Sequence, residues 1–299
     1  EESLVVVNEK KMSLAKNAKE LAKAAGGSHA TIEARTRIIM QLVNNLRFEQ
    51  NVQIRTISQL REKNVENWLR NGREKGLSPR TLQNRLTAVR AVLVQAERYD
   101  TVSRLENTAK KVGFAGASRD GVRKPPSVEQ LNRMLDSVNH EGVRICLQMM
   151  NEFGLRQKEA IMSAASLDKW LRDITNDRHG RFQLVQGSKG GRPREIWPND
   201  PAKAAELVSK AIELSRTNGG KLVGGDLKQA LGKFNREAAS AGFKGLHSPH
   251  SLRYAFAQRT INRLMEQGWD KRLALSFTSQ ILGHGDGRGR WIDQVYSRC

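Results

Sequence analysis

Two pieces of the chain carry residues whose types and spacing could do chemistry on a phosphate: His247-Ser-Pro-His-Ser-Leu-Arg-Tyr254, and Tyr296. Ser248 followed by Pro249 reads as an N-cap and a first helical residue, because proline there gives up only an N–H that no helix carbonyl would accept. His250 and Arg253 then share the first turn, three residues apart on one face. Free backbone N–H groups, the positive end of the helix dipole, an imidazole and a guanidinium converge there, which suits an anionic phosphate. The same residues also suit a plain capped amphipathic helix, so the decision rests on the rest of the chain.

Four more residues join the set. Arg156 follows the turn at Phe153-Gly-Leu and opens a helix, with Glu159 on the same face. Lys189 stands at the tip of Gly187-Ser-Lys-Gly-Gly191, between β-prone segments at 181–186 and 192–197, which reads as a hairpin. A nucleotide P-loop is excluded there, since the glycine spacing, the hydroxyl residue after lysine and the following helix are missing. His284 closes the run Thr278-Ser-Gln-Ile-Leu-Gly-His. Together these groups describe a phosphoryl-transfer site. Two arginines can hold the non-bridging oxygens, a lysine can protonate a leaving alkoxide, and a histidine can exchange a proton with the nucleophile. A phenol can attack phosphorus and store the bond as a phosphotyrosine ester. No acidic cluster suits a two-metal site and no Cys/His set has zinc spacing, so neither a metal nor a cofactor is expected.

The elements that must position these residues follow from composition and periodicity. The chain has 299 residues, enough for two domains, and a formal net charge of +20. A balance this basic calls for a polyanion. The charge is spread along the chain and no apolar run is long enough to span a bilayer, so nucleic acid is favoured over a membrane. Two cysteines give no disulfide framework, Cys146 reads as a core residue, and no signal peptide is evident, so a cytoplasmic, nucleoid-associated bacterial protein is expected. The chain opens on Glu1 rather than Met, and an upstream start is expected.

Residues 1–27 read as a basic helix or arm with little to bury, and residues 28–116 as an all-helical domain. Arg37 and Arg47 fall opposite the apolar face of one helix. A second helix is expected over roughly 58–74. In the next, capped by Ser78 and started by Pro79, Leu82, Leu86, Val89 and Leu93 form an apolar stripe, while Arg80, Asn84 and Thr87 face the other way, as a DNA groove requires. Residues 117–126 read as a flexible linker whose Arg123 and Lys124 can track a phosphate backbone. Residues 127–299 alternate helices with the small hairpin, giving a mainly α fold with a small β-sheet.

Read in order, Phe153-Gly-Leu-Arg-Gln-Lys-Glu-Ala160, Gly187 to Ile196, His250-Ser-Leu-Arg-Tyr-Ala-Phe-Ala257, Leu282-Gly-His284 and Tyr296 resemble the tyrosine recombinase, or phage integrase, family. The helical first domain resembles that family's core-DNA-binding domain more loosely. The resemblance implies an α+β catalytic domain that forms a C-shaped clamp with its partner domain. It implies that Arg156 and Arg253 clamp the phosphate, Lys189 is the general acid for the 5′ oxygen, and His250 handles the proton. His284 is then a further phosphate-side donor, Tyr296 the nucleophile and Glu159 a supporting acid. Tyr254 stands where the family often has a second histidine, and in its helix it is expected to pack. The glycine-rich stretch 285–290 lengthens the gap to Tyr296 and leaves the local helix open. The tail after Tyr296 is short, so assembly is expected to use other contacts. The implied activity is site-specific recombination of double-stranded DNA through a 3′-phosphotyrosine intermediate, for integration or excision of a mobile element. The implied partners are other copies of the chain in a homo-tetrameric synapse and an accessory DNA-bending protein. Two alternatives stay open: a type IB topoisomerase-like nicking-closing enzyme, and a non-catalytic DNA-binding regulator.

Overall fold

Contacts divide the chain into two units, residues 1–118 and 119–299. The computed structural model describes residues 13–116, 118, 120–188, 191–285 and 287–297. In the first unit the helical periodicity resolves into α1 (Leu14–Ala24), α2 (His29–Phe48), α3 (Glu62–Glu74), α4 (Pro79–Gln95), α5 (Tyr99–Arg104) and α6 (Thr108–Val112). The stripe Leu82, Leu86, Val89 and Leu93 is buried on α4, and full burial of each such side chain stabilises by about 1.5–3 kcal/mol. Ser78 caps α4 as its type predicts, its hydroxyl accepting from the Thr81 N–H at 3.2 Å. α3 starts later than expected. Residues 57–59 form a 3₁₀ turn instead, held by the Gln59 side chain, which accepts from the Arg55 and Thr56 N–H groups.

Of the two forms expected for the N-terminal segment, basic helix or arm, its described residues take the helix, and only the expectation of little burial is corrected. From Leu14 onward α1 is part of the first unit's core, with Ala18 and Ala22 fully buried. Small side chains offer little area to bury, but here they let α1 approach α2 and α4 closely. Asn17 Oδ1 accepts from the Ile57 N–H at 2.9 Å, and Arg35 donates to the Ala22 and Gly26 carbonyls.

The second unit contains α7 (Val128–Asp136), α8 (Glu141–Phe153), α9 (Gln157–Met162), α10 (Leu167–Asn176), β1 (Phe182–Leu184), β2 (Arg194–Ile196), α11 (Pro201–Thr217), α12 (Leu227–Ser240), α13 (Ser251–Glu266), α14 (Lys271–Ile281) and α15 (Gly289–Ile292), followed by a π-helical turn over Asp293–Ser297. The strands pair antiparallel, Phe182 opposite Ile196 and Leu184 opposite Arg194. Phe153, Trp170 and Phe182 form an aromatic centre with ring separations of 4.6–6.4 Å. Trp170 Nε1 donates to the Gln183 carbonyl at 2.9 Å and so ties α10 to β1. Cys146 is buried in α8.

The expected flexible linker is also corrected. Residues 120–126 lie along the second unit: the Gly121 N–H donates to the Gln294 carbonyl (3.3 Å) and the Lys124 N–H to the Leu246 carbonyl (3.0 Å). Gly121 permits the contact because a Cβ there would sit 1.8 Å from the Val295 carbonyl oxygen. Lys124, before Pro125, is biased to extended backbone, which exposes its amide for pairing. No helix among the described residues is long and apolar enough to cross a membrane.

Candidate active site

Gly154 makes the first turn of the site possible. It ends α8 at φ 61°, and a Cβ there would lie 2.4 Å from the Phe256 ring. The chain then reverses through Leu155, and Arg156 caps α9 from an extended conformation. Its backbone N–H donates to Glu159 Oε2 at 2.7 Å and its Nη1 to Glu159 Oε1 at 2.6 Å. Glu159 is fully buried. Burial by itself would raise its carboxyl, but Arg194, with the Arg156 backbone N–H and guanidinium, outweighs this and holds it at about 2.

α13 starts at Ser251 rather than Pro249. The Ser251, Leu252 and Arg253 N–H groups donate to the carbonyls of Ser248, Pro249 and His250, a tight 3₁₀ entry. The Ser248 hydroxyl is buried without a partner among the described residues instead of capping the helix. Three of the first-turn N–H groups expected to seat an anion are therefore taken up by carbonyls of the chain itself. His250 and Arg253 still share the turn.

Arg253 is fully buried. It donates to the Gly154 and Leu282 carbonyls, its Nε lies 3.4 Å from Tyr296 Oη, and its Nη2 lies 3.3 Å from His284 Nε2. Arg156 Nη2 reaches the same Leu282 carbonyl at 3.5 Å, so one carbonyl joins the two guanidinium groups. Burial pushes Arg253 down to about 10, which leaves it a cation at neutral pH. Tyr296 is 1% exposed, on the π-helical turn. Its Oη is 3.2 Å from His284 Nε2, and its carbonyl accepts from Gln258 Nε2 at 2.9 Å. The glycine-rich approach through 285–290 thus ends with the phenol docked between His284 and Arg253.

Both histidines are neutral at pH 7. Burial and the cations Arg253, Arg156, Arg194 and Arg288 push His284 down to about 3. The protein packed around the His250 ring, and the cations Arg253, Arg156 and Arg123, push it down to about 4, although one edge of the residue is open to solvent. His250 stands edge-on to Tyr254 (5.7 Å), which tilts against Tyr296 (4.5 Å). Tyr254 is a packing residue, as read from its place in the helix.

The structure therefore brings Arg156, Glu159, Arg253, His284 and Tyr296 into one hydrogen-bonded group, with the Tyr254 ring between it and His250. Lys189 lies outside the described residues; Gly187, at the base of its loop, packs on the Glu159 backbone. Two contributors were missed in the sequence. Arg194 on β2 forks onto Glu159, with Nη1 at 2.6 Å from Oε1 and Nη2 at 2.7 Å from Oε2. Strand alternation carries the signal for it: Arg194 shares the inward face with Ile196, and a buried arginine demands an acid. Trp291 packs on His284 (4.3 Å) and Tyr296 (5.7 Å).

Arg37, Arg47, Arg80, Asn84 and Thr87 are exposed on the first unit. Arg80 also donates to Gln83 Oε1 and the Ser118 carbonyl. On the second unit Arg123 donates to the Gly245 carbonyl, and Lys124 is exposed. None of the described residues forms a cluster of three or more groups able to hold a metal.

Two family descriptions match the chain: "Integrase" over residues 113–259 and "Phage integrase, N-terminal" over residues 12–102. His284 and Tyr296 lie beyond the matched segments. No curated protein matches. Several solved structures are similar. The Tn1549 transposon integrase in complex with circular intermediate DNA gives a TM-score of 0.55 at 16% identity over 95% of each chain. A lambda integrase dimer bound to a COC′ core site gives 0.53 at 15% over 94% of this chain and 76% of that one. The XerH recombinase bound to difH gives 0.52 at 16% over 93% and 80%. At these identities the likeness is one of fold.

Proposed function

This chain belongs to the tyrosine recombinase, or phage integrase, family and is a site-specific recombinase; from that premise we propose that Tyr296 is its nucleophile. The observation that carries the proposal is the meeting of Tyr296 Oη with both His284 Nε2 and Arg253 Nε, one carbonyl away from Arg156. The topoisomerase and regulator alternatives are not favoured, since integrase descriptions match both parts of the chain.

In the resting arrangement the phenol occupies groups that a phosphate needs. A scissile phosphate takes over the Arg253 and His284 donors, Arg156 takes another non-bridging oxygen, and the displaced phenol turns toward phosphorus. The tyrosyl O–P bond forms as the P–O5′ bond breaks. The phenol proton passes to His250, and Lys189 protonates the departing 5′ oxygen. The product is a 3′-phosphotyrosine ester and a free 5′ hydroxyl. The ester conserves the phosphodiester's energy, so a partner strand's 5′ hydroxyl reverses the step without ATP.

The substrate is double-stranded DNA. Arg37, Arg47, Arg80, Asn84 and Thr87 contact it from the first unit, and Arg123 and Lys124 from the second. Strand exchange takes place in a homo-tetramer on two duplexes, assisted by an accessory DNA-bending protein, at the nucleoid of a bacterial cytoplasm. The biological outcome is integration or excision of a mobile element. The test is to incubate the protein with a pool of nicked duplex fragments, trap covalent complexes and sequence the attached DNA. One recurrent site, joined through its 3′ phosphate, is expected. No covalent complex, or attachment through a 5′ phosphate, overturns the proposal.

A further inference from the structure

We propose that Arg194 is a positioning residue that keeps Arg156 available to the phosphate, by sharing the Glu159 carboxylate so that Glu159 orients Arg156 without cancelling its charge. The inference rests on the reading of Arg156 as a phosphate ligand.

The geometry is that of a shared anion. Glu159 accepts four hydrogen bonds, two from the Arg194 fork and two from Arg156, one of them from its backbone N–H. Arg194 and Glu159 are 6% and 0% exposed at their side chains, while Arg156 keeps 24% exposure. The carboxylate and Arg194 are thus screened by protein, and only Arg156 opens toward solvent. Two guanidinium groups and one carboxylate leave one net positive charge, and it resides on the exposed member. Without Arg194 the same carboxylate would face Arg156 alone, and that pair would be neutral toward an incoming phosphodiester. Two positions on Arg156 are fixed by Glu159, while its other N–H groups, apart from the long contact to Leu282, have no partner among the described residues.

A second contact adds to the first. Arg194 Nε donates to the Ile281 carbonyl at 2.9 Å, next to the Leu282 carbonyl that receives Arg253 and Arg156. Its Cδ lies against Gly283, at the turn that delivers His284. Arg194 therefore caps the end of α14 and braces the turn carrying one partner of Tyr296 Oη. It reaches the chemistry only through Glu159, Arg156 and that turn.

The test uses the full chain and the duplex recovered from its own covalent complexes. Arg194→Met should slow single-turnover cleavage on the order of 10²-fold, the usual cost of a misplaced or neutralised phosphate ligand, and change DNA affinity less than about 3-fold. Arg194→Lys keeps the charge but not the fork and should recover about half of that loss on a logarithmic scale. The decisive variant is Arg194→Met with Glu159→Gln. If the defect comes from an unshared carboxylate, deleting its charge must raise cleavage about 5-fold or more above Arg194→Met alone. Wild-type cleavage by Arg194→Met, or a double variant no faster than the single one, overturns the inference while leaving covalent chemistry at Tyr296 intact. Should Arg194→Met fail to fold, Arg194→Lys decides: cleavage reduced at unchanged affinity supports the role, and wild-type cleavage overturns it. An absence of adduct from the wild-type chain instead strikes the functional reading itself.

Discussion

Glu159→Gln tests the buried charge network with a magnitude that follows from the structure. The carboxylate is fully buried and bonded to two guanidinium groups. Removing one member of a buried ion pair costs about 3–5 kcal/mol, because it leaves a cation without its counter-charge. Arg194, nearly as buried, is that cation. The pH dependence gives an independent figure. Glu159 titrates near 4.5 when unfolded and at about 2 when folded. A depressed carboxylate contributes its stability above the unfolded value and loses it as pH falls toward the folded one. The shift corresponds to about 3 kcal/mol, of which about 2 kcal/mol is gone by pH 3. His250 and His284, neutral when folded, also weaken the fold in acid, but they do so in both proteins and cancel in the difference. Trp170, Trp197, Trp269 and Trp291 all lie in the second unit, so urea unfolding followed by tryptophan fluorescence reports mainly on it. The variant should be about 3–5 kcal/mol less stable at pH 7, and the gap should narrow steadily between pH 5 and pH 3. A gap that stays constant over that range, or one below about 1 kcal/mol at pH 7, would show that Glu159 is not the ionised counter-charge of Arg194.

Gly154→Ala should destabilise the second unit by about 2–4 kcal/mol, combining a strained positive φ with a clash on Phe256, and should slow cleavage by shifting the carbonyl that receives Arg253; a melting curve matching wild type would contradict it. In the free protein, NMR titration of the His250 and His284 rings should show both neutral from pH 8 down to pH 5.5, since their folded values lie at about 4 and about 3; a midpoint near 6.5 for either ring would show that it does not sit among the arginines. Arg80→Ala should weaken DNA binding and reduce the slope of log affinity against log salt by about one; an unchanged slope would remove Arg80 from the interface.

Much of this architecture could be read from residue patterns because the relevant physics is local. The stripe on α4, the Ser78 cap and the hairpin positions follow from periodicity and turn chemistry within a few residues. Arg156, Arg253, His284 and Tyr296 could be grouped by residue type, and hydrogen bonds join them in the fold; Lys189 lies outside the described residues. What escaped depends on distant contacts. The entry to α13 was misjudged because carbonyls of residues 248–250 outcompete the Ser248 hydroxyl. Residues 1–27 read as a basic helix or arm with little to bury because alanines carry little apolar area, yet their size is what permits close helix packing. Residues 120–126 looked like a linker because Gly and Pro mark loops, and nothing local reveals that Gly121 pairs with Gln294. Arg194 was visible as an inward charge on a short strand, but its partner lies 35 positions away and only the fold joins them.

In the proposed reaction the phenol held by Arg253 and His284 becomes the covalent link to DNA. The most direct measurement is mass spectrometric mapping of the residue left carrying a nucleotide after nuclease digestion of trapped complexes, with Tyr296→Phe run in parallel. A single modified peptide containing Tyr296 is expected, with no adduct from the variant despite DNA affinity close to wild type. Modification of Tyr254 or Tyr99, or an adduct that persists in Tyr296→Phe, would contradict it.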